Sequence, residues 1–355
     1  MIDKNFWKGK RVFITGHTGF KGSWLSSWLL ELGATIHGFS LPLSEANRHF
    51  NLLQLSQKMD STFGDLKDFD TVKKTINHFK PDIVIHMAAQ ALVIEGYLNP
   101  VETFLVNTVG SVNLLEACRD ITSLKAIVNV TTDKVYENYP LNIPNIEDSA
   151  LGGHDPYSAS KACSEIITSS YRSSFFPRSE LGHSHSVRIA TARAGNVIGG
   201  GDWGKHRLIP DLIRSLENNE TLALRSPLSV RPWQHVLDPI KGYLLLAQYL
   251  YESDSKYEKS FNFGPSPKEK LTVEDVVKHI SVKTKITVNY TEPNFKEEPF
   301  ISLNSSKAEK ILKWKYRWSS HDSIEMTMDW YLRYFKGENT FEITKSQIKE
   351  FENEN

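Results

Sequence analysis

Tyr157-Ser158-Ala159-Ser160-Lys161 sets a phenol and an ammonium four positions apart in a run with helical character. At that spacing both groups share one helix face. A phenol ionises near pH 10, so holding it as phenolate at pH 7 costs about 4 kcal/mol. Nearby positive charge reduces that cost. A phenolate held in this way can take a proton from a hydroxyl while hydride leaves the carbon that bears it. Thr132, 25 residues upstream and just after an apolar run, offers a hydroxyl to the same reacting group.

Hydride needs an acceptor, and a second motif supplies a place for one. Thr15-Gly16-His17-Thr18-Gly19-Phe20-Lys21-Gly22 spaces its glycines as G-x-x-G-x-x-G between a β-branched run and a helical pattern. Glycine permits a tight turn and close backbone approach to a pyrophosphate, and the helix N-terminus favours the anion. Gly16, Thr18, Gly19, Phe20, Lys21 and Gly22 are therefore the first candidate cofactor residues. The nicotinamide cation of such a cofactor would add to the charge that holds Tyr157 ionised. The end of the second strand, Phe39-Ser40-Leu41-Pro42, has neither an acid for a ribose 2′-OH nor a base for a 2′-phosphate, and Arg48 lies too far along. NAD is the expected cofactor, with NADP left open and Ser40 as the contact at this strand end. Asp65, in Gly64-Asp65-Leu66, is placed to accept from the adenine amino group.

The elements that must position these groups alternate. Strand-like runs at Arg11–Thr15, Ala34–Ser40, Met59–Phe63, Pro81–Met87, Lys125–Val130 and Val187–Arg193 are separated by helical patterns at Gly22–Leu32, Phe69–Phe79, Val101–Cys118 and Tyr157–Phe175. Short continuous apolar runs are what strands buried on both faces look like. The alternation predicts an α/β fold, a Rossmann-type doubly wound parallel sheet, with a smaller C-terminal α/β substrate-binding region. A soft boundary falls near residue 195, giving a dinucleotide-binding region over 1–195 that includes the Tyr-Lys helix. A mainly ligand-binding region follows over 196–345, and a frayed polar tail over 346–355. Gly199-Gly200-Gly201 reads as a flexible lip.

Composition excludes several classes. Lys and Arg together number 42, as do Asp and Glu, so no basic excess marks a nucleic-acid binder. No apolar run is long enough to span a membrane, and the N-terminus lacks the apolar core of a signal peptide. Cys118 and Cys163 lack metal or redox spacing, so no metal is expected and both read as reduced core residues.

Together with His86-Met87-Ala88-Ala89-Gln90 and Asn107-Thr108-Val109-Gly110, these motifs resemble the extended short-chain dehydrogenase/reductase superfamily over nearly the whole chain. That resemblance adds Leu66, Ala88, Ala89, Gln90 and Asn107, with Tyr157 and Lys161, to the expected cofactor contacts. Thr131-Thr132-Asp133-Lys134-Val135-Tyr136 is similar to the sugar nucleotide 4,6-dehydratases, which more often read Thr-Asp-Glu. The Asp-Lys form, with Arg193–Trp203 and Arg231–Val236, resembles the branch that acts on CDP-glucose. The resemblance implies an internal redox cycle. Tyr157 deprotonates the sugar 4-OH as hydride passes to NAD, Asp133 protonates the departing 6-OH, and hydride returns to C6. Lys134 stands where a glutamate usually takes the C5 proton. Two roles stay open for it: a base, which needs the neutral amine at a cost of about 4–5 kcal/mol at pH 7, or a cation beside the enolate. Thr132, Asn196, Arg207, Arg231 and His235 are the expected substrate contacts, since a guanidinium fork suits a diphosphate. Also implied are a homodimer or a tetramer, a cytoplasmic location, and deoxysugar synthesis for lipopolysaccharide O-antigen. A sugar-nucleotide 4-epimerase, a dehydratase for another nucleotide sugar, and a non-catalytic NAD(P)-binding sensor are the competing readings.

Overall fold

The computed structural model describes residues 2–44, 48–137, 143–252, 255–267, 269, 271–282, 284, 286–291 and 302–353. Its centre is a parallel sheet of seven strands. In chain order these are β1 (Arg11–Thr15), β2 (Thr35–Ser40), β3 (Asp60–Phe63), β4 (Ile83–His86), β5 (Ala126–Val130), β6 (Arg188–Ala194) and β7 (Ser260–Phe263). Across the sheet they run β7-β6-β5-β4-β1-β2-β3. Strand β1 shows why both faces are covered. Val12 and Ile14 enter one core with Trp24, Leu25 and Ile240, while Phe13 enters the other with Phe39, Val84 and Ile127. Apolar residues on both sides of the central strands require helices on both faces.

Helix α1 (Phe20–Glu31) follows the glycine turn, and Gly33 ends it with φ +78°. Helix α2 (Phe69–Phe79) is capped by the Asp68 side chain on Thr71 N. The segment expected as one helix over Val101–Cys118 is built in three parts: an α-turn at Pro100–Phe104, a π-turn at Leu105–Val109 and an α-helix at Gly110–Ala117, together called α3. A π-turn inserts an extra residue and often marks a functional site; this one carries the buried Asn107. Helix α4 (Pro156–Ser174) starts with Pro156 in its first turn and with the Asp155 carboxylate on Ser158 N at 3.0 Å.

Beyond residue 195 the chain builds α5 (Leu208–Asn218) and short two-stranded pairs, then returns to the sheet through α6 (Leu237–Glu252) and β7. The sheet thus runs across the expected boundary near residue 195. After the shorter helices Val273–Ser281 and Ser306–Leu312 come α7 (Ser320–Phe335) and α8 (Thr340–Asn353). The tail expected to fray is the second half of α8. Ile348 and Phe351 are fully buried, and Phe351 packs edge-on to Trp28 and Trp318. Its polar majority hid an amphipathic pattern whose apolar positions complete the core over α1.

Candidate active site

A cavity of about 1110 Å³ opens at the carboxyl ends of the central strands, where open α/β sheets place their ligands. The glycine turn, the β5 end with Thr132, Asp133 and Lys134, and the start of α4 with Tyr157 and Lys161 all line it.

On the cofactor side, Gly16 takes φ +76°, and a Cβ there would meet Ala88 N at 2.7 Å. A Cβ on Gly22 would lie 2.2 Å from Gly16 O. Those two glycines fold the turn tightly. Gly19 differs: its nearest neighbour would be Gly16 O at 3.4 Å, and it borders the cavity. No side chain caps α1 at Gly19, so its first N–H groups are left for an external acceptor. This cradle fits a pyrophosphate. Thr18, Phe20, Lys21, Ser40, Asp65, Leu66, Ala88, Ala89 and Gln90 line the same part. Thr18 Oγ1 donates to Ser40 Oγ at 3.1 Å, tying the turn to the β2 end. Asn107 does not reach the cavity. Its side chain accepts from Gln90 N at 2.9 Å and donates to Gln90 O at 3.0 Å and Ser160 Oγ at 2.9 Å. It holds the 88–90 loop from behind, because the π-turn that carries it packs between that loop and α4. Arg48 is committed elsewhere, stacked 3.6 Å over the Trp203 ring and bonded to Glu217 and Tyr334.

On the acid–base side, Lys161 Nζ donates to Val130 O at 3.0 Å, and burial brings its pKa down to about 8 against the opposing charge of Glu165. Burial pushes Tyr157 up to about 12, with Thr132 pulling it back. Without a cationic cofactor this phenol stays protonated at neutral pH. Burial also raises the Asp133 carboxyl, opposed by Lys134, Thr132, Arg231 and Lys21. A carboxylic acid that keeps its proton is a proton donor. Thr132 Oγ1 donates to Asp133 Oδ1 at 3.1 Å and accepts from Lys134 N at 3.4 Å. Lys21 Nζ points to Tyr243 Oη at 3.2 Å, and desolvation followed by the charge of Arg207 brings its pKa down to about 8.

On the far side Asn196, Arg207 and Arg231 line the cavity. Arg207 Nη1 sits 3.0 and 3.1 Å from the two Asp202 oxygens. His235 is not there. It is fully buried edge-on to Trp24 and Trp318; its backbone N–H donates to Ser323 Oγ at 3.0 Å, its ring Nδ1 accepts from Leu237 N at 3.3 Å, and its Nε2 is buried without a hydrogen-bond partner among the described residues. Its four-residue spacing from Arg231 does not bring them together because Arg231 and His235 lie in separate two-residue strands, not in a helix. The expected lip is also not loose. A Cβ on Gly200 would lie 1.9 Å from Trp330 Cγ, and one on Gly201 2.2 Å from His49 Cδ2. These glycines admit aromatic rings to the backbone.

A family model described as GDP-mannose 4,6 dehydratase matches residues 13–327. The chain belongs to that family. Among curated proteins it is 43% identical to a CDP-glucose 4,6-dehydratase of Salmonella typhimurium, over 99% of this chain and 98% of that one. Two solved structures share the fold. A dTDP-glucose 4,6-dehydratase of Streptomyces venezuelae, with NAD bound, gives TM-score 0.78 at 21% identity over 93% of this chain and 99% of its own. A UDP-glucose 4-epimerase of Thermus thermophilus in complex with NAD gives 0.76 at 24% over 90% and 98%.

In this dehydratase-family chain three further parts of the site were given no role from the sequence. Asp202 anchors Arg207 and closes the following loop through Gly204 N at 3.0 Å. The strand Leu222–Arg225 lines the far wall, its alternating burial being the one available signal. Glu165, one turn beyond Lys161, has no motif of its own, although its i+4 spacing from Lys161 was visible.

Proposed function

We propose that this chain is a NAD-dependent CDP-glucose 4,6-dehydratase, converting CDP-glucose to CDP-4-keto-6-deoxyglucose and water. One observation carries the choice of reaction: a buried acid, Asp133, shares a cavity with Tyr157, Thr132 and Lys161. An epimerase needs Tyr157 and Lys161 but no acid to expel a 6-hydroxyl, and a non-catalytic sensor needs neither. The choice of CDP-glucose follows the Salmonella relative. NAD is supported by the NAD-bound neighbours and by the commitment of Arg48 away from the β2 end.

Bound nicotinamide supplies a hydride acceptor and later a hydride donor. Every proton is handled by the chain. Tyr157 takes the 4-OH proton, with Lys161 beneath it as cation. The ketone at C4 then acidifies C5–H, and Lys134 stands at the cavity wall as the base that takes this proton or as a cation beside the enolate; the proton goes back to C5 when C6 receives hydride, so it cancels over the cycle. Asp133 gives its proton to the 6-hydroxyl, which leaves as water. The cycle ends with Tyr157 protonated and Asp133 ionised. The Thr132 hydroxyl, in contact with both, lies on the path that returns that proton. Asn196, Arg207 and Arg231 are assigned to the nucleotide sugar.

No helix among the described residues is long and apolar enough to cross a membrane. A cytoplasmic setting and a role in O-antigen deoxysugar synthesis belong to the same proposal. So does a homodimer, because Leu98, Val101, Leu105, Val109 and Ile166 on α3, α4 and the preceding helix are exposed apolar residues; light scattering would measure its mass. The deciding experiment incubates protein and NAD separately with CDP-, dTDP-, UDP- and GDP-sugars and weighs the products. Loss of one water from CDP-glucose alone is expected. An unchanged mass with altered configuration would move the chain to the epimerases.

A further inference from the structure

Beneath the cavity lies an ion pair that the reaction described above does not use. Glu165 and Arg193 have side chains only 2% and 3% exposed, with Arg193 Nη2 2.8 Å from Glu165 Oε2 and Nε 2.9 Å from Oε1. Two buried charges carry a large desolvation cost that the pair alone offsets poorly. Here every remaining valence is taken up. The carboxylate also accepts from Thr131 Oγ1, from Thr191 Oγ1 at 2.7 Å and from Ser260 Oγ at 3.3 Å. The guanidinium also donates to Tyr136 Oη at 2.8 Å and Glu147 O at 3.0 Å. Tyr136 Oη in turn donates to Asn262 Oδ1 at 2.6 Å.

The two ends of this network decide its meaning. Thr131 and Tyr136 bracket Thr132, Asp133 and Lys134, so the pair grips the acid–base loop at both ends. Glu165 stands on the same face of α4 as Lys161 and Tyr157, at successive four-residue steps. One ion pair therefore cross-links the loop that carries the proton donor to the helix that carries the tyrosine and lysine.

We infer that Glu165 and Arg193 are positioning residues of the reaction, fixing the acid–base loop against the Tyr157–Lys161 helix and keeping Lys161 a cation. Besides Glu165, two titratable groups share electrostatics with Lys161, His86 on β4 and Lys21 on α1, while Tyr157 stands one turn away on the same helix. His86 is held neutral by burial, with a pKa near 3, and Lys21 is itself a cation. Glu165 is then the anion that favours a charged Lys161. Burial alone would raise the Glu165 carboxyl, but Arg193, Thr131 and Thr191 hold it below the ordinary carboxylate range.

The inference rests on the dehydratase reading, and the test separates the two. Purified full-length protein with NAD is assayed on CDP-glucose, with wild type, Glu165→Gln, Glu165→Asp and Arg193→Lys compared for kcat, KM, pH profile and Tm. Glu165→Gln should lower kcat on the order of 100-fold, the usual consequence of misplacing reacting groups by about 1 Å, with KM changed far less. Its alkaline limb should also move to lower pH, because losing the anion lets Lys161 shed its proton earlier. Glu165→Asp and Arg193→Lys keep the charge and lose the reach, so kcat should fall while the limb stays in place. A structural role alone would lower Tm and leave the limb of Glu165→Gln unmoved, overturning the inference. Should Glu165→Gln not fold, Glu165→Asp with wild-type kcat would overturn it equally. Absence of water loss in the wild type would instead sink the dehydratase reading.

Discussion

The wall of the cavity that carries Gly16–Gly22, Thr132 and Tyr157–Lys161 hangs on strand ends and one long helix. The wall that carries Asn196, Asp202 and Arg207 is a loop wedged between aromatic rings, Trp330 behind Gly200 and His49 behind Gly201. Both walls are glycine-rich, yet the glycines serve opposite ends. Gly19 leaves helix N–H groups open to a ligand, whereas Gly200 and Gly201 let rings close on the backbone. The first wall is organised to present polar groups of unusual protonation. The second is organised to stay still while Arg207, paired with Asp202, borders the cavity.

The largest effect should come from the first wall. Asp133→Asn removes the proton donor and keeps the shape. A general acid contributes about 10²–10⁴-fold, so kcat for water loss should fall by that order while Tm is kept or rises, since an acid raised by burial is no longer needed there. Hydride transfer from C4 precedes the acid step, so reduced cofactor should accumulate with CDP-glucose and show in its absorbance. A variant that still loses water at wild-type rate would remove Asp133 from the mechanism and with it the distinction from an epimerase.

A smaller effect sharpens the contrast between the two kinds of glycine. Gly200→Ala drives a Cβ to 1.9 Å from Trp330 Cγ, a buried ring that cannot give way cheaply. Overpacking of this kind costs about 1–3 kcal/mol, seen as a lowered Tm with cofactor affinity unchanged. Gly19→Ala meets only Gly16 O at 3.4 Å, so Tm should hold. Its methyl group enters the pyrophosphate cradle, and NAD affinity by calorimetry should fall on the order of tenfold, about 1.4 kcal/mol. Equal stability losses in both would show that the two turns are not used differently.

The first wall was legible in the sequence because its signals are local. A glycine turn between strand and helix, a Tyr-Lys pair at i+4 and a Thr-Asp-Lys run after a strand each fit within a few residues. The parallel, doubly wound sheet followed from the βαβ alternation. Asn196 and Arg207 of the second wall were named from the sequence and line the cavity, but what holds that wall was not legible, since it is contact across long separations. Trp330 lies 130 residues from Gly200, and His49 lies 152 residues from Gly201. Asn107 was read as a ligand contact because its motif cannot show that a π-turn carries its amide behind Gln90. The polar end of α8 was read as frayed because the rings that bury Phe351, Trp28 and Trp318, are distant in sequence.

The smallest effect concerns His235, which the sequence placed beside the substrate and the structure places in the core. Burial lowers its pKa to about 3, so the folded protein holds it neutral. The unfolded chain takes up a proton below about pH 6.5. Since the unfolded state then binds more protons, this group withdraws stability as pH falls from 6.5, about 1.4 kcal/mol per unit until the folded value is reached. His235→Phe removes that liability and keeps a ring against Trp24 and Trp318. At pH 7 its kcat should stay within about twofold of wild type, as expected of a change that touches no reacting group. At pH 5 its stability relative to wild type should improve by up to about 2 kcal/mol, read as a Tm difference that narrows or changes sign on acidification. His49, with its pKa also near 3, and His17, near 4, would still destabilise the variant in acid, so the gain is a share of the whole. A tenfold loss of kcat at pH 7 would return His235 to the substrate, and the aromatic wall would then have to move during the reaction.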